Sequence, residues 1–229
     1  MTIGIIGAMD EEIALLLENM TEKQESTIAN TLFVQGKIEG RDVVLLKSGI
    51  GKVNAAMATT IMHERFSPSY VINTGSAGGF SEELEVGNIV ISSHVVHHDV
   101  DVTSFDYAYG QVPGMPEMFL ADPILISKAT AALKELAVHS STGIIATGDS
   151  FMADPERVSF VREKFPTLIA AEMEAAAVAQ VCYQYDKPFV VIRALSDIAG
   201  KESSISFDAF LTTAAKNAAE LIIAMIKKL

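Results

Sequence analysis

The sequence predicts an α/β fold: a single domain, residues 1–229, with a central mixed β-sheet flanked by helices. Three observations carry this. Short runs rich in Ile and Val alternate with longer amphipathic runs. The apolar runs are nearly continuous, as in strands buried on both faces of a sheet. No repeats, low-complexity tracts or linkers divide the chain, so its 229 residues read as one domain rather than two small ones.

In chain order, Ile3–Ile6 reads as a buried strand and Asp10–Asn19 as an amphipathic helix. Thr31–Gly36 and Lys37–Lys47 read as an antiparallel pair around Glu39-Gly40-Arg41, with Val43–Lys47 its apolar stretch. Lys52–Glu64 reads as a helix, and Tyr70–Asn73 and Ile89–Ser92 as strands. Pro123–Ala137 follows as a helix and Gly143–Ala146 as a strand. Pro155–Lys164 and Glu172–Tyr185 are helices, and Phe189–Ala194 is a strand. The last helix, Phe207–Lys228, is the clearest: Phe207, Phe210, Leu211, Ala214, Ala218, Leu221, Ile222 and Met225 recur on one face.

Composition narrows the function. Hydrophobic residues make up 49% of the chain, enough for a large core, and the formal net charge is −12. So acidic a surface repels phosphate backbones, which argues against a nucleic-acid partner. Only Arg41, Arg65, Arg157, Arg162 and Arg193 are available to bind a phosphorylated ligand. The single cysteine, Cys182, forms no intramolecular disulfide and lies in an Ala-rich apolar stretch, as a small core residue does. No run of about 18 continuous apolar residues suggests a membrane partner. The start, MTIGIIGAMDEE, lacks the basic segment of a signal peptide. A cytoplasmic protein is expected.

In open α/β sheets ligands bind beyond the carboxyl ends of strands. Those ends carry acids or glycines here: Gly7–Glu12, Thr74–Phe80, Thr147–Met152 and Leu195–Gly200, with Ala171–Glu174 before the Ala-rich helix. Three other signals are weaker. Gly49-Ile50-Gly51-Lys52 lacks the spacing of a phosphate loop and has Val53 where a hydroxyl should stand, so it reads as a turn into a helix. His94, His97, His98, Asp99 and Asp101 are dense enough to suggest a metal, but no further ligand completes a site. The Gly7 region has no G-x-G-x-x-G, hence no dinucleotide fingerprint.

The strand-end segments IGIIGAMDEEI, GIGKVNAA, NTGSAGG, HHDVDVTSFDYAYGQVPGMP, GDSFM, AEMEAAAVAQVC and RALSDIAG occur together and in this order. On these the chain resembles the nucleoside phosphorylase superfamily, and within it the bacterial 5′-methylthioadenosine/S-adenosylhomocysteine nucleosidases, over nearly its whole length. The resemblance implies hydrolysis of an adenine nucleoside, with no cofactor and no metal. It also implies a role in methionine salvage and in clearing a methylation by-product. The transition state is oxocarbenium-like, as in glycoside hydrolysis generally. The adenine then needs a proton at N7, water needs a base, and the ribose hydroxyls need acceptors.

By the resemblance, Asp197 is the general acid, held by Ser196, and Glu12 is the base that activates water, with Arg193 and Ser76 beside it. Each has a plainer reading. Ser-Asp after a strand makes a turn, Glu12 suits the first turn of a helix, and Arg193 can pair a buried carboxylate. Glu11 is given no role. Glu174 would accept from the ribose 2′- and 3′-hydroxyls, with Met173 along the sugar. Phe151 would stack on adenine, the Met152 backbone would read its edge, and Gly78 would allow close approach. Met9, Ile50 and Phe207 match the apolar 5′ pocket. Val102, Phe105 and Pro113 match positions that a partner subunit supplies to that pocket, so a homodimer is expected.

Residue chemistry favours water over phosphate as nucleophile. The hexameric phosphorylases of this superfamily place arginines in the first loop and just before the G-S turn. Here Glu12 and Asn73 stand there, and a carboxylate repels phosphate. Ser150 and Met152 replace the Ala and Ile common in relatives. Two rivals are a hydrolase for another adenine nucleoside, such as 6-amino-6-deoxyfutalosine, and a nucleoside-binding protein. The second would have lost Glu12 or Asp197.

Overall fold

The computed structural model describes residues 1–136, 138–201 and 203–229. The chain runs β1 (Ile3–Gly7), α1 (Asp10–Asn19), β2 (Thr21–Ile28), β3 (Thr31–Ile38), β4 (Arg41–Lys47), α2 (Lys52–Phe66), β5 (Tyr70–Gly79) and β6 (Ile89–His97). A 3-10 turn at Thr103–Phe105 leads to β7 (Phe119–Leu120), α3 (Pro123–Leu133), β8 (Ser140–Thr147), α4 (Pro155–Lys164), β9 (Leu168–Glu172), α5 (Ala175–Gln184), β10 (Phe189–Ile198) and α6 (Ser203–Ile226).

Among the described residues ten strands form one mixed sheet, in the expected architecture. β1 lies parallel between β4 and β5, and β4, β3 and β2 continue outward as an antiparallel meander. At the other end β5 pairs β10, β10 pairs β6, β6 pairs β8, β8 pairs β9, and β9 returns to β5. Those five strands therefore close on themselves.

Alternation along the strands feeds two helical layers. Val190, Ile192 and Ala194 of β10 pack with α1, α3 and α6, whereas Phe189, Val191 and Leu195 pack with α2 and α5. Cys182 sits in the second layer, as expected of a core residue. α6 is long and apolar enough to span a membrane by length and composition, yet Ala214, Ala218, Leu221, Ile222 and Met225 pack into the first core layer.

Several boundaries differ from the sequence reading, for identifiable reasons. β5 and β10 continue through Gly79 and Ile198, so the glycine-rich stretch and the Ser-Asp pair lie in strands rather than turns. The cause is non-local: each segment pairs with the other in parallel, Gly75 with Arg193 and Gly78 with Asp197. β6 likewise continues to His97, and α6 begins four residues early at Ser203. α5 starts at Ala175, because Glu172 ends β9 and its carboxylate accepts the Glu174 and Ala175 N–H groups. α3 stops at Leu133, and its expected end, Ala137, lies outside the described residues. β2, a polar and largely exposed strand, and the short β7 and β9 carried no apolar alternation to announce them. The β3–β4 hairpin does form, turning at Glu39 and Gly40, both with positive φ as a two-residue turn requires.

Candidate active site

The ends of β1, β5, β8, β9 and β10 and the start of α6 enclose a cavity of about 460 Å³, a size suited to a small ligand. Every own-chain residue to which the resemblance gives a role lines it except Arg193, which is buried and reaches towards Glu174.

Asp197 owes its position to a bulge. The β10–β5 register shifts between Leu195 and Asp197, leaving Ser196 as the extra residue. A bulge of this kind re-aims side chains beside a site. Ser196 Oγ donates to Asp197 Oδ1 at 2.9 Å. Burial raises the Asp197 carboxyl above the usual carboxylate range, against the opposing hydroxyls of Ser196 and Ser203. A Cβ at Gly78 would stand 3.1 Å from Asp197 Oδ2, so glycine there keeps space open at the acid.

Glu12 serves two masters. Its Oε2 accepts from the Ala8 and Met9 N–H groups at 2.8 and 3.2 Å, closing the N-terminus of α1. Its Oε1 accepts from the Ser76 N–H and Oγ at 2.9 and 3.1 Å. The helix-start reading and the cavity reading thus hold together. Glu11 is exposed and lines nothing.

Arg193 is 1% exposed and almost wholly occupied by protein. Its guanidinium pairs with Glu172, donates to Asn73 Oδ1 at 2.9 Å and the Thr74 carbonyl at 3.2 Å, and stands 3.5 Å from Glu174 Oε2. Arg193 thus pairs a buried carboxylate, which is compatible with its expected place beside Glu12. Glu172 also accepts from Thr147 Oγ1. The sequence reading gave Glu172 no role, although its spacing of two from Glu174 across Met173 is the signal that would have found it. Burial, with the Glu172 charge beside it, raises the Glu174 carboxyl well above the usual carboxylate range.

The remaining wall is apolar. Met9, Ile50, Met152, Met173 and Phe207 line it with Phe151, whose ring meets that of Phe207 edge-on at 5.7 Å. The Met152 carbonyl accepts from the Gly200 N–H at 3.1 Å, tying the 148–152 loop to the end of β10. Ile50 and Phe151 remain 51% and 43% exposed at the mouth. Ser150 lines the cavity too, as do Ala8, Ala77, Ala171, Ser204 and Asp208, which the sequence did not single out. Val102, Phe105 and Pro113 are outside the cavity, in a surface segment where Phe105 is 75% exposed. The histidine–aspartate run disperses: His97 contacts Gln180, Asp99 pairs Lys52, and Asp101 caps Thr103. Among the described residues no cluster of three or more His, Cys, Asp or Glu side chains is arranged to hold a metal.

Gly75 offers a test of this packing. Its φ is +149°, and a Cβ there would fall 2.1 Å from Arg193 Nη1 and 2.6 Å from Glu12 Oε1. Neither group has anywhere to go. Gly75→Ala is expected to cost at least the upper end of overpacking penalties, about 3 kcal/mol, in urea denaturation. A loss under about 1 kcal/mol would mean that the Arg193 cluster yields.

Comparison with known proteins fits this geometry. The family model of the phosphorylase superfamily matches residues 2–227. The chain is 61% identical over 229 residues, covering 100% of both sequences, to the 5′-methylthioadenosine/S-adenosylhomocysteine nucleosidase of Oceanobacillus iheyensis. Its structure superposes with a TM-score of 0.98 on the nucleosidase of that name from Colwellia psychrerythraea in complex with adenine, at 49% identity, covering 100% of this chain and 96% of that one. The score is also 0.98 against the Neisseria meningitidis nucleosidase in complex with methylthio-immucillin-A, at 46% identity, covering 100% and 99%.

Proposed function

From the fact that the chain belongs to the phosphorylase superfamily and, within it, to the 5′-methylthioadenosine/S-adenosylhomocysteine nucleosidases, we propose how its cavity works. The enzyme hydrolyses the N-glycosidic bond of 5′-methylthioadenosine and S-adenosylhomocysteine to adenine and the free 5-substituted ribose. 5′-Deoxyadenosine, whose 5′ group is smaller, fits the same apolar pocket. In a cell these reactions serve methionine salvage and remove a product of methyl transfer.

Asp197 donates its proton to adenine N7 as the C1′–N9 bond breaks and its electron pair passes to the base. Its raised affinity for a proton suits that task. A water oxygen bonds to C1′ and gives its proton to Glu12 Oε1, the oxygen that Ser76 orients. Solvent exchange then returns the proton to Asp197. Glu174 holds the ribose hydroxyls, Phe151 faces the adenine, and Met9, Ile50, Met173 and Phe207 line the 5′ side.

The observation that carries water as nucleophile is the state of Arg193. The arginine nearest the reacting centre is already engaged by Glu172, Asn73 and Glu174, and Glu12 is a third acid beside it. A phosphate there would meet repulsion. Adenine release is therefore expected to proceed at the same rate with and without phosphate, giving free methylthioribose. Activity that appears only with phosphate and yields the sugar 1-phosphate would overturn this reading. Parallel assays on S-adenosylhomocysteine, 5′-deoxyadenosine and 6-amino-6-deoxyfutalosine rank the substrates.

The working unit is a homodimer. The exposed apolar residues Val53 (79%) and Phe105 (75%) support this, as do the half-open mouth at Ile50 and Phe151 and a second cleft of about 440 Å³ beside α2. Such exposed apolar surface marks an interface, and Val102, Phe105 and Pro113 would complete the partner's 5′ pocket. The acidic surface and lone buried cysteine suit the cytoplasm.

A further inference from the structure

Three segments meet at one ion pair just outside the cavity. Lys52 Nζ donates to Asp99 Oδ1 at 2.6 Å, and the other oxygen of Asp99 accepts from the Asp149 N–H at 3.0 Å. The Lys52 N–H in turn donates to Asp149 Oδ1 at 2.8 Å. The three groups form a closed ring: Lys52 to Asp99, Asp99 to Asp149, Asp149 back to Lys52. Lys52 and Asp99 are only 21% and 27% exposed at their side chains. Asp99 stays below the ordinary carboxylate range although burial pushes it upward, because Lys52 and the Asp149 N–H outweigh that burial.

What the ring joins gives it meaning. One residue before Lys52, the Gly51 N–H donates to Glu174 Oε1 at 2.9 Å, and Ile50 forms the edge of the cavity. Directly after Asp149 come Ser150, Phe151 and Met152, the wall opposite. Gly51 has φ +96°, and a Cβ there would come within 3.1 Å of Asp149 Oδ1, so the two loops are fitted to each other. None of the three ring side chains lines the cavity.

We propose that Lys52, Asp99 and Asp149 act as positioning residues, a clamp that registers the ribose carboxylate Glu174 against the adenine-facing loop 148–152. With the ring closed, the acceptor for the sugar and the wall for the base keep one fixed offset, which bond cleavage between sugar and base requires. Misplacement of about 1 Å in such an arrangement costs on the order of 100-fold in rate. Asp149 Oδ1 joins the two loops directly through the Lys52 N–H, and Asp99, which belongs to neither loop, braces that joint from outside by holding Lys52 Nζ with one oxygen and the Asp149 N–H with the other.

This rests on the nucleosidase reading above, and the wild-type rate tests that reading separately: no adenine release by the wild type would sink the function, not the clamp. The clamp is tested by Asp99→Ala, Lys52→Met, the double variant and Lys52→Arg, assayed on methylthioadenosine and checked for fold by thermal melting. Each of the first two is expected to lower kcat at least about 10-fold with KM changed less than about 3-fold, since positioning acts on the transition state more than on the ground state. The double variant is expected to be no slower than the worse single, the mark of one shared element. Lys52→Arg, which keeps the charge, is expected to recover most of the rate. Wild-type kcat in Asp99→Ala, or single losses that multiply in the double variant, would overturn the clamp. If Asp99→Ala fails to fold, the partly exposed Lys52→Met and Lys52→Arg pair decides: equal rates in the two overturn the proposal, and a kcat gap of about 10-fold supports it.

Discussion

Asp197→Asn is expected to lower adenine release by about 10²–10⁴-fold, the usual contribution of a positioned general acid, while the protein still folds. The expectation follows from what the bulge builds. Asparagine fills the same space and its carbonyl can still accept from Ser196 Oγ, so the β10–β5 pairing keeps its shape. It has no proton to give at N7. The pH dependence has a definite sign. Burial raises the Asp197 carboxyl in the folded state, so folding favours the protonated form. Wild-type activity should therefore fall as pH rises through that raised value, because the acid is then ionised. Stability moves the same way: it declines as pH rises from the ordinary aspartate value toward the raised one, and the Asn variant lacks this decline. Steady-state adenine release against pH, beside thermal melts of both proteins, reads all three effects. A variant within about 10-fold of wild type would remove Asp197 as the acid.

Glu12→Gln is expected to be similarly crippled, for a different mixture of reasons. The carboxylate receives four donors: the Ala8 and Met9 N–H groups on one oxygen and the Ser76 N–H and Oγ on the other. A glutamine must turn its NH₂ toward one of those pairs, leaving buried donors face to face. That costs about 1–3 kcal/mol and withdraws the base from water at once. The expected result is a rate lower by about 10²–10⁴-fold with a lowered melting temperature, and nucleoside binding that persists because Glu174, Phe151 and the apolar wall are untouched. Isothermal titration with a non-hydrolysable nucleoside separates the two losses. Unchanged turnover would exclude Glu12 as the base.

The contrast between the two carboxyls shows what a sequence can carry. Asp197, Glu12 and Glu174 were legible because charged residues at the ends of apolar runs stand out and because their motifs occur in a fixed order. The apolar strand cores were legible because β-branched runs have few other uses. What stayed hidden depends on pairing between distant segments. Gly75 and Gly78 look like turn residues, and only the approach of Arg193 and Asp197 from β10 makes them strand residues. Glu172 looks like the first residue of a helix until Arg193 reaches it from 21 positions away. Asp99 stood in a His/Asp run too incomplete for a metal site, with nothing to show its partners, Lys52 and Asp149, which lie 47 and 50 positions off on either side. β2 has no apolar face to reveal it.

The closure of five strands into a ring has a consequence for how copies of this protein can meet. Of the described strands, β2 is left as the one long strand with an unpaired side, since β10 is paired on both flanks and β7 is only two residues long. Open strand edges invite backbone-to-backbone zippering between molecules. Here that edge reads TEKQESTI, with Glu22, Lys23 and Glu25 projecting into solvent, and Glu22 bound to Lys37. A second copy offering the same edge would set charged, well-solvated and poorly adhesive side chains against its own. With a single long open edge the sheet could be extended only once, into a pair, and this edge discourages even that; the exposed apolar side chains lie elsewhere, around Val53 and Phe105.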